Sequence, residues 1–506
     1  MTQAPQSTAA PRSGNAGDRI LLKGGTILSM DPALGDFAQG DVLIEGRKIV
    51  AVGAGLGDVG DAQIVDCSGQ IVMPGFVNTH HHQFYAAQRA IISDGNLWAP
   101  WPQEDYMAVQ DIMTFGRILD QNWQPLWDLG RSPYDPEDCR IAELLTSLNQ
   151  INQGVTTGID TSQCQHNPDY TEAMLDGIAQ SGRRTVFAFS YGRGDDPAYE
   201  FPGAKEDPSR GLARLRATHF ASDDQLVTLA LNTDHFLFTG FKAEDVLLAR
   251  ELKVPLLQHS GPTEGAIAAG MLGPDMEFIH CTGIPGESWK AMADNGCHVS
   301  LSVPIEMQMG HGTPPIQQAL DHGILPSLSS DVETNMASDM FTQMRGAFTL
   351  QRMRVHERLF AGDQDAPPLL TCRQVLEMAT VAGAECAHLS HKIGSITPGK
   401  EADIILLDTR TFNAAGFHNV DGLVVTLMDT SNVRGVMVAG RFRKWNGEML
   451  DVDLPSLITR IEQSRERIME RMRTKPLPVD GLNSAPGFTP KLFGSCCIGH
   501  RYAARP

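Results

Sequence analysis

The sequence predicts an α/β chain whose long middle closes into a parallel (β/α)8 barrel and whose two ends are β-rich. Three observations carry this. Apolar, strand-like runs alternate with helical stretches through the middle. The first of those runs, Val72-Met73-Pro74-Gly75-Phe76-Val77-Asn78-Thr79-His80-His81-His82, is apolar, bounded by Pro-Gly, and ends in histidines. Similar short runs separated by Gly and Asp recur on both sides of the middle.

Residues 1–18, rich in Ala, Ser, Pro and Gly without an apolar stretch, read as a disordered leader. From residue 19 to 72, alternating runs such as Val42-Leu43-Ile44-Glu45 and Ile49-Val50-Ala51-Val52 predict a small antiparallel β unit. The texture returns in Ala402-Asp403-Ile404-Ile405-Leu406-Leu407 and across residues 433–441, so residues 19–72 and 391–450 are expected to pair into one composite domain. Residues 73–390 form the barrel. After the histidine strand, the runs at 155–160, 185–190, 226–231, 254–259, 276–280, 298–303 and 325–331 complete eight strands, with helices expected at 137–153, 170–181 and 242–252 among others. An open doubly wound sheet is the alternative, but no glycine-rich dinucleotide fingerprint follows any of these strands. Residues 374–387 and 454–473 read as helices, and 451–506 as a terminal helix with an irregular tail for which the sequence suggests no function.

Composition narrows the function. With 506 residues, two or three domains are expected at roughly 150 residues each. Hydrophobic residues at 42% and charged residues at 20% are those of an ordinary globular protein. A net charge of -19 repels phosphate backbones and anionic lipid, so neither nucleic acid nor membrane is an expected partner. Nine scattered cysteines without paired CxxC spacing indicate neither a disulfide framework nor a thiolate zinc site, and fit a reducing cytoplasm. No uninterrupted apolar window reaches the ~18 residues of a membrane span. A small-molecule substrate is expected, with a homodimer as the default assembly.

On an extended strand, side chains alternate, so His80 and His82 share one face and His81 takes the other. Two imidazoles spaced this way can hold one metal ion; three surface histidines in a loop are the bland alternative. In a parallel barrel the carboxyl ends of all strands converge on one face. That brings together His80 and His82 on the first strand, His259 on the fifth, His280 on the sixth and Asp331 on the eighth. Three imidazoles and a carboxylate suit one divalent ion, Zn²⁺ first and Fe²⁺ second, carrying a water of lowered pKa. Asp331 is then both ligand and proton acceptor, and His280 a group that orients the nucleophile or stabilises developing charge. The reaction class is hydrolysis at an electrophilic carbon.

Between His82 and Val155 lies a long connection holding Trp98, Trp101, Trp123 and Trp127, four of the six tryptophans. Trp98 and Trp101 suit a substrate wall, or equally a local core of their own. His311 beyond the seventh strand, and His235 and Asn232 beyond the fourth, are further candidates for substrate contact. Glu333 shares Asp331's side of an extended chain and is placed to tune it. Cys281 reads as a small buried hydrophobe.

Residues 74–82, the histidines ending strands five and six, Ser329-Ser330-Asp331, and Ile393-Gly394-Ser395-Ile396-Thr397-Pro398-Gly399-Lys400-Glu401-Ala402-Asp403 together resemble the amidohydrolase superfamily. Within it they are similar to the branch of cytosine, guanine and S-adenosylhomocysteine deaminases and triazine chlorohydrolases. The resemblance covers roughly residues 19–450. It implies a distorted (β/α)8 TIM barrel with a composite β-sandwich formed by both chain ends, and carries His80, His82, His259 and Asp331 over as metal ligands and His280 as a catalytic residue. Two-metal members usually place a carboxylated lysine on strand four; residues 226–234 contain none, implying one metal. Deaminases of this branch usually carry a glutamate three residues after the strand-five histidine. Here that position is Pro262, and Glu264 is the nearest substitute for the proton shuttle.

The resulting expectation is a mononuclear metal-dependent hydrolase of non-peptide carbon-nitrogen bonds, acting on an aminated heterocycle. The alternatives are an amide, urea or carbamate hydrolase on the same site, and a metal-free scaffold of the same fold. Such a scaffold lacks parts of the histidine set, whereas here every position is filled.

Overall fold

The computed structural model describes residues 10–90, 117–119, 122–124, 134–164, 168–190 and 208–474. Eight parallel strands follow one another in sequence order: β1 (Phe76–His81), β2 (Val155–Thr161), β3 (Arg184–Ser190), β4 (Val227–Asn232), β5 (Leu256–His259), β6 (Met276–Ile279), β7 (His298–Leu301) and β8 (Ser327–Leu328). The expected barrel is therefore the observed one. β8 is short, and the ring closes at its histidine end: the His82 N–H donates to the Asp331 carbonyl at 2.8 Å, and the Asp331 N–H to the His80 carbonyl at 3.0 Å. The seam joining first and last strands thus lies at the predicted site.

β1 is buried along its whole length because it is covered on both faces. Inside the barrel, Val77, Ile159, Val186, Ala230, Leu257 and Ile279 pack with Ala384, Ala387, Leu389 and Ile393. Residues 374–387 form two helices rather than one, Cys372–Ala379 and Val381–Cys386, turning at Thr380. The turn brings Gly383 onto β1, where a Cβ would lie 2.7 Å from Val77. Tertiary packing overrides the single helical period there.

The chain ends meet as expected, in one nine-stranded sheet. The antiparallel expectation needs correction. Arg19–Ile27 pairs antiparallel with Phe37–Glu45 but parallel with Gln63–Asp66 and Gln70–Pro74. Alternation reports a half-buried strand, not the direction of its neighbour. Ile404–Asp408 then pairs antiparallel with Gln70–Pro74, and the sheet continues through Val433–Val438, Arg441–Trp445 and Glu448–Met449. Ile20, Val42, Val72, Ile404, Met437 and Phe442 from both segments share one apolar cluster.

Gly75 alone separates this sheet from β1, and a Cβ there would lie 2.2 Å from Thr156. A second tie is ionic. Buried Arg184 at the start of β3 donates to Glu401 at 2.6 Å and to both oxygens of Asp403 at 2.9 and 3.0 Å. The Glu401-Ala402-Asp403 end of the motif noted above therefore clamps sheet to barrel. Among the described residues no helix is long and apolar enough to cross a membrane.

Candidate metal centre

His80 and His82 point to the same side of β1, as alternation requires, while His81 turns away and lies 3.0 Å from Ser330 Oγ through its Nδ1. Both inward rings are held by the end of β2. His80 Nδ1 lies 2.7 Å from Thr161 Oγ1, and His82 Nδ1 3.0 Å from the Thr161 carbonyl. A carbonyl only accepts, so His82 carries its proton on Nδ1 and presents the Nε2 lone pair inward.

His259 at the end of β5 is held in the same way by Asp234, just past β4. Asp234 Oδ2 takes the ring at Nδ1, 2.8 Å away, and Oδ1 accepts the His259 backbone N–H at 2.8 Å. His280, just past β6, lies 3.0 Å through its Nδ1 from Glu306 Oε1. Every ring thus spends Nδ1 on a fixed partner, the outer-shell arrangement that orients metal-binding imidazoles.

The Nε2 atoms of His80, His82 and His280 lie around Asp331. Its Oδ1 is 3.1 Å from His80 Nε2 and 3.5 Å from His82 Nε2, and its Oδ2 is 3.7 Å from His280 Nε2. One ligand atom each from His80, His82 and His259 all lie within 4.8 Å of one another, and the same holds for His80, His280 and Asp331. His80 is wholly buried. His280, Cys281 and Asp331 have φ of 65, 51 and 56°, a left-handed backbone costly for residues other than glycine and concentrated here at functional strand ends.

Electrostatics suit a cation. Burial pushes His82 and His280 down to about 4 and His80 well below its usual range, so these three rings are neutral near neutral pH. Burial alone would raise the Asp331 carboxyl, but the hydrogen bond to His80 and the surrounding imidazoles hold it well below the usual carboxylate range. Neutral nitrogens and an ionised carboxylate converging on one point are a donor set for a single divalent ion. β4 offers no lysine to bridge a second.

The other predicted residues separate. His311 joins the site: it is buried, its ring stands edge-on to His280 with centroids 4.8 Å apart, and its Nδ1 has no hydrogen-bond partner among the described residues. His235 has its Nε2 2.8 Å from Asp245, which ties the ring to helix Ala243–Glu251. Glu264 is corrected. Thr263 caps a helix immediately after Pro262, and Glu264 is exposed in its first turn. Glu333 does not tune Asp331; its carboxylate accepts from Arg89, Asn149 and Ser338. Asn232 donates to Asp234 rather than facing substrate. Cys281 is fully buried, and burial holds its thiol well above the usual range. Trp98 and Trp101 lie outside the described residues.

Thr161, Asp234 and Glu306 escaped the sequence reading as partners of the site. Each is a polar residue at or just past the carboxyl end of a barrel strand, the signal that would have found them.

Comparison with known proteins agrees with this geometry. The amidohydrolase family profile matches residues 242–443, which hold β5 to β8 with His259, His280 and Asp331. The 5'-deoxyadenosine deaminase of Methanosarcina mazei is 25% identical over 478 residues, covering 90% of this chain and 99% of that protein. A zinc-bound adenosine deaminase from Xanthomonas campestris has the same fold, with a TM-score of 0.71 at 20% identity over 90% of this chain and 99% of its own. Triazine hydrolase from Arthobacter aurescens gives a TM-score of 0.73 at 20% identity, covering 88% and 99%. Over residues 242–443 the chain matches the amidohydrolase family, and the class its fold and site define is that of the metal-dependent hydrolases.

Proposed function

We propose that this protein removes the exocyclic amine of an aminated heterocycle by hydrolysis, at one divalent ion held by His80, His82, His259 and Asp331. The observation that carries the reading is that His80, His82 and His259 gather together while Asp331 meets His80 and His82, with the ring partners fixed by Thr161 and Asp234. When bound, such an ion supplies the Lewis acidity that makes hydroxide available near neutral pH. Asp331, ionised and beside His280, takes the proton of the attacking water. His280 directs the nucleophile, and His311 Nδ1, which has no hydrogen-bond partner among the described residues, offers the heterocycle a hydrogen bond.

Relatives aligned end to end with this chain are named for deaminating 5'-deoxyadenosine, which makes an adenine-type ring the first substrate class to test. A second reading, hydrolysis of an amide, urea or carbamate, is favoured by Pro262, because acyclic substrates have no ring nitrogen to protonate. The test measures bound metal together with ammonia release from aminated purines, pyrimidines and triazines, and amine release from acyclic amides. Asp331→Ala should abolish turnover while the chain stays folded. Turnover unchanged in that variant removes the assigned role, and activity confined to acyclic substrates selects the second reading.

A further inference from the structure

The position that deaminases of this branch give to a proton-carrying glutamate is Pro262, and Glu264 is exposed. Across the site, a different acid is buried against the catalytic imidazole. Glu306, in the short helix Val303–Gln308 after β7, is fully buried. Its Oε1 accepts the Ser302 N–H at 2.8 Å and lies 3.0 Å from His280 Nδ1. Its Oε2 has no hydrogen-bond partner among the described residues. Its backbone carbonyl accepts the His311 backbone N–H at 3.0 Å, which anchors the turn that carries His311.

We propose that Glu306 is the positioning residue for His280, and that Asp331, His280 and Glu306 form the proton path to the leaving amine that Pro262 leaves unfilled. The inference rests on the deaminase reading above. Because Oε1 already accepts from Ser302, it is an acceptor for His280 as well, whether or not Oε2 bears a proton. His280 is thereby held with its proton on Nδ1 and its Nε2 lone pair 3.7 Å from Asp331 Oδ2. This is the logic of a buried carboxyl group whose fixed acceptor oxygen sets an imidazole's tautomer.

The step balances without a ring-protonating residue. The water oxygen bonds to the ring carbon, and the displaced C=N electron pair rests on the ring nitrogen. One water proton passes from Asp331 to His280 Nε2 and on to the amine. The ring pair returns, the C–N bond breaks, and ammonia departs, the second water hydrogen staying on the new hydroxyl group.

The test uses the full-length protein and two variants. In metal-depleted wild type, ¹⁵N NMR of His280 should show a single Nδ1–H tautomer, and Glu306→Ala should mix in Nε2–H. With metal restored, Glu306→Ala should lower kcat for ammonia release by about 10²–10⁴-fold, the range of general acid-base catalysis. KM and bound metal should stay near wild type, and Glu306→Gln, which keeps an acceptor oxygen, should retain clearly more activity than the alanine variant. An Nε2–H tautomer in the wild type overturns the proposal. So does equal loss in both variants accompanied by loss of metal, the mark of a purely structural residue. If the wild type releases no ammonia from any heterocycle, the deaminase reading fails on its own, and the tautomer still decides whether Glu306 positions His280.

Discussion

Asp234→Asn isolates the support of a single ligand. Three N–H groups converge on Asp234 Oδ2: those of His259 Nδ1 at 2.8 Å, Asn232 Nδ2 at 2.9 Å and Gln163 Nε2 at 3.0 Å. Oδ1 accepts the His259 backbone N–H. An asparagine has one acceptor oxygen and one donor amide, so it must turn its NH2 either toward the three side-chain donors or toward the backbone N–H. Either choice sets donor against donor in a buried site, at a cost of about 1–3 kcal/mol for the group left unpaired. It also removes the negative charge that keeps the His259 proton on Nδ1. Loss of such an outer partner typically weakens metal binding 10–100-fold, about 1.4–2.7 kcal/mol. Chelator competition on wild type and variant measures this directly, with circular dichroism to confirm that the fold persists. Wild-type metal affinity in a folded Asp234→Asn protein would refute the orientation argument.

Two further outcomes test the scaffold. Replacing Glu401 and Asp403 together by alanine strands the buried Arg184 guanidinium, whose pKa burial lowers but pairing with Asp403 and Glu401 raises overall. Breaking such a buried pair costs about 3–5 kcal/mol, and urea titration should show a loss of that size, whereas a change below about 1 kcal/mol would deny the clamp. Glu277, wholly buried on β6, is pushed up to about 8 by burial, against 4.5 for an ordinary glutamate, so the folded chain holds a proton that the unfolded chain releases. Its contribution to stability therefore falls as pH rises from about 4.5 to about 8, by at most about 1.4 kcal/mol per unit. Glu277→Gln carries no such proton, so comparing unfolding free energies at about pH 5 and pH 8 should show a flatter dependence than wild type; an identical slope would contradict the assignment.

Much of the site was legible because the barrel's topology does the gathering. Once eight strands are recognised, the polar residue at each carboxyl end must face the others, and His80, His82, His259, His280 and Asp331 follow without any contact being known. The residues that escaped act through someone else's ring. Asp234 and Thr161 carry no metal-ligand spacing, and their role exists only because β4 lies beside β5 and β2 beside β1. His235 and Glu264 show the converse. Their residue types suit chemistry, but helix Ala243–Glu251 claims one through Asp245 and the cap at Thr263 turns the other to solvent.

The amino-acid sequence by itself determined the alternation of strand and helix, the inward pairing of His80 with His82, and the absence of a strand-four lysine, since these depend on periodicity and residue type along one segment. Only the tertiary structure decided strand direction in the outer sheet, the burial of Glu306 behind His280, and which nitrogen of His82 and His259 faces the centre. Those are relations between segments distant in the chain, where a hydrogen bond is set by the neighbour that packing supplies.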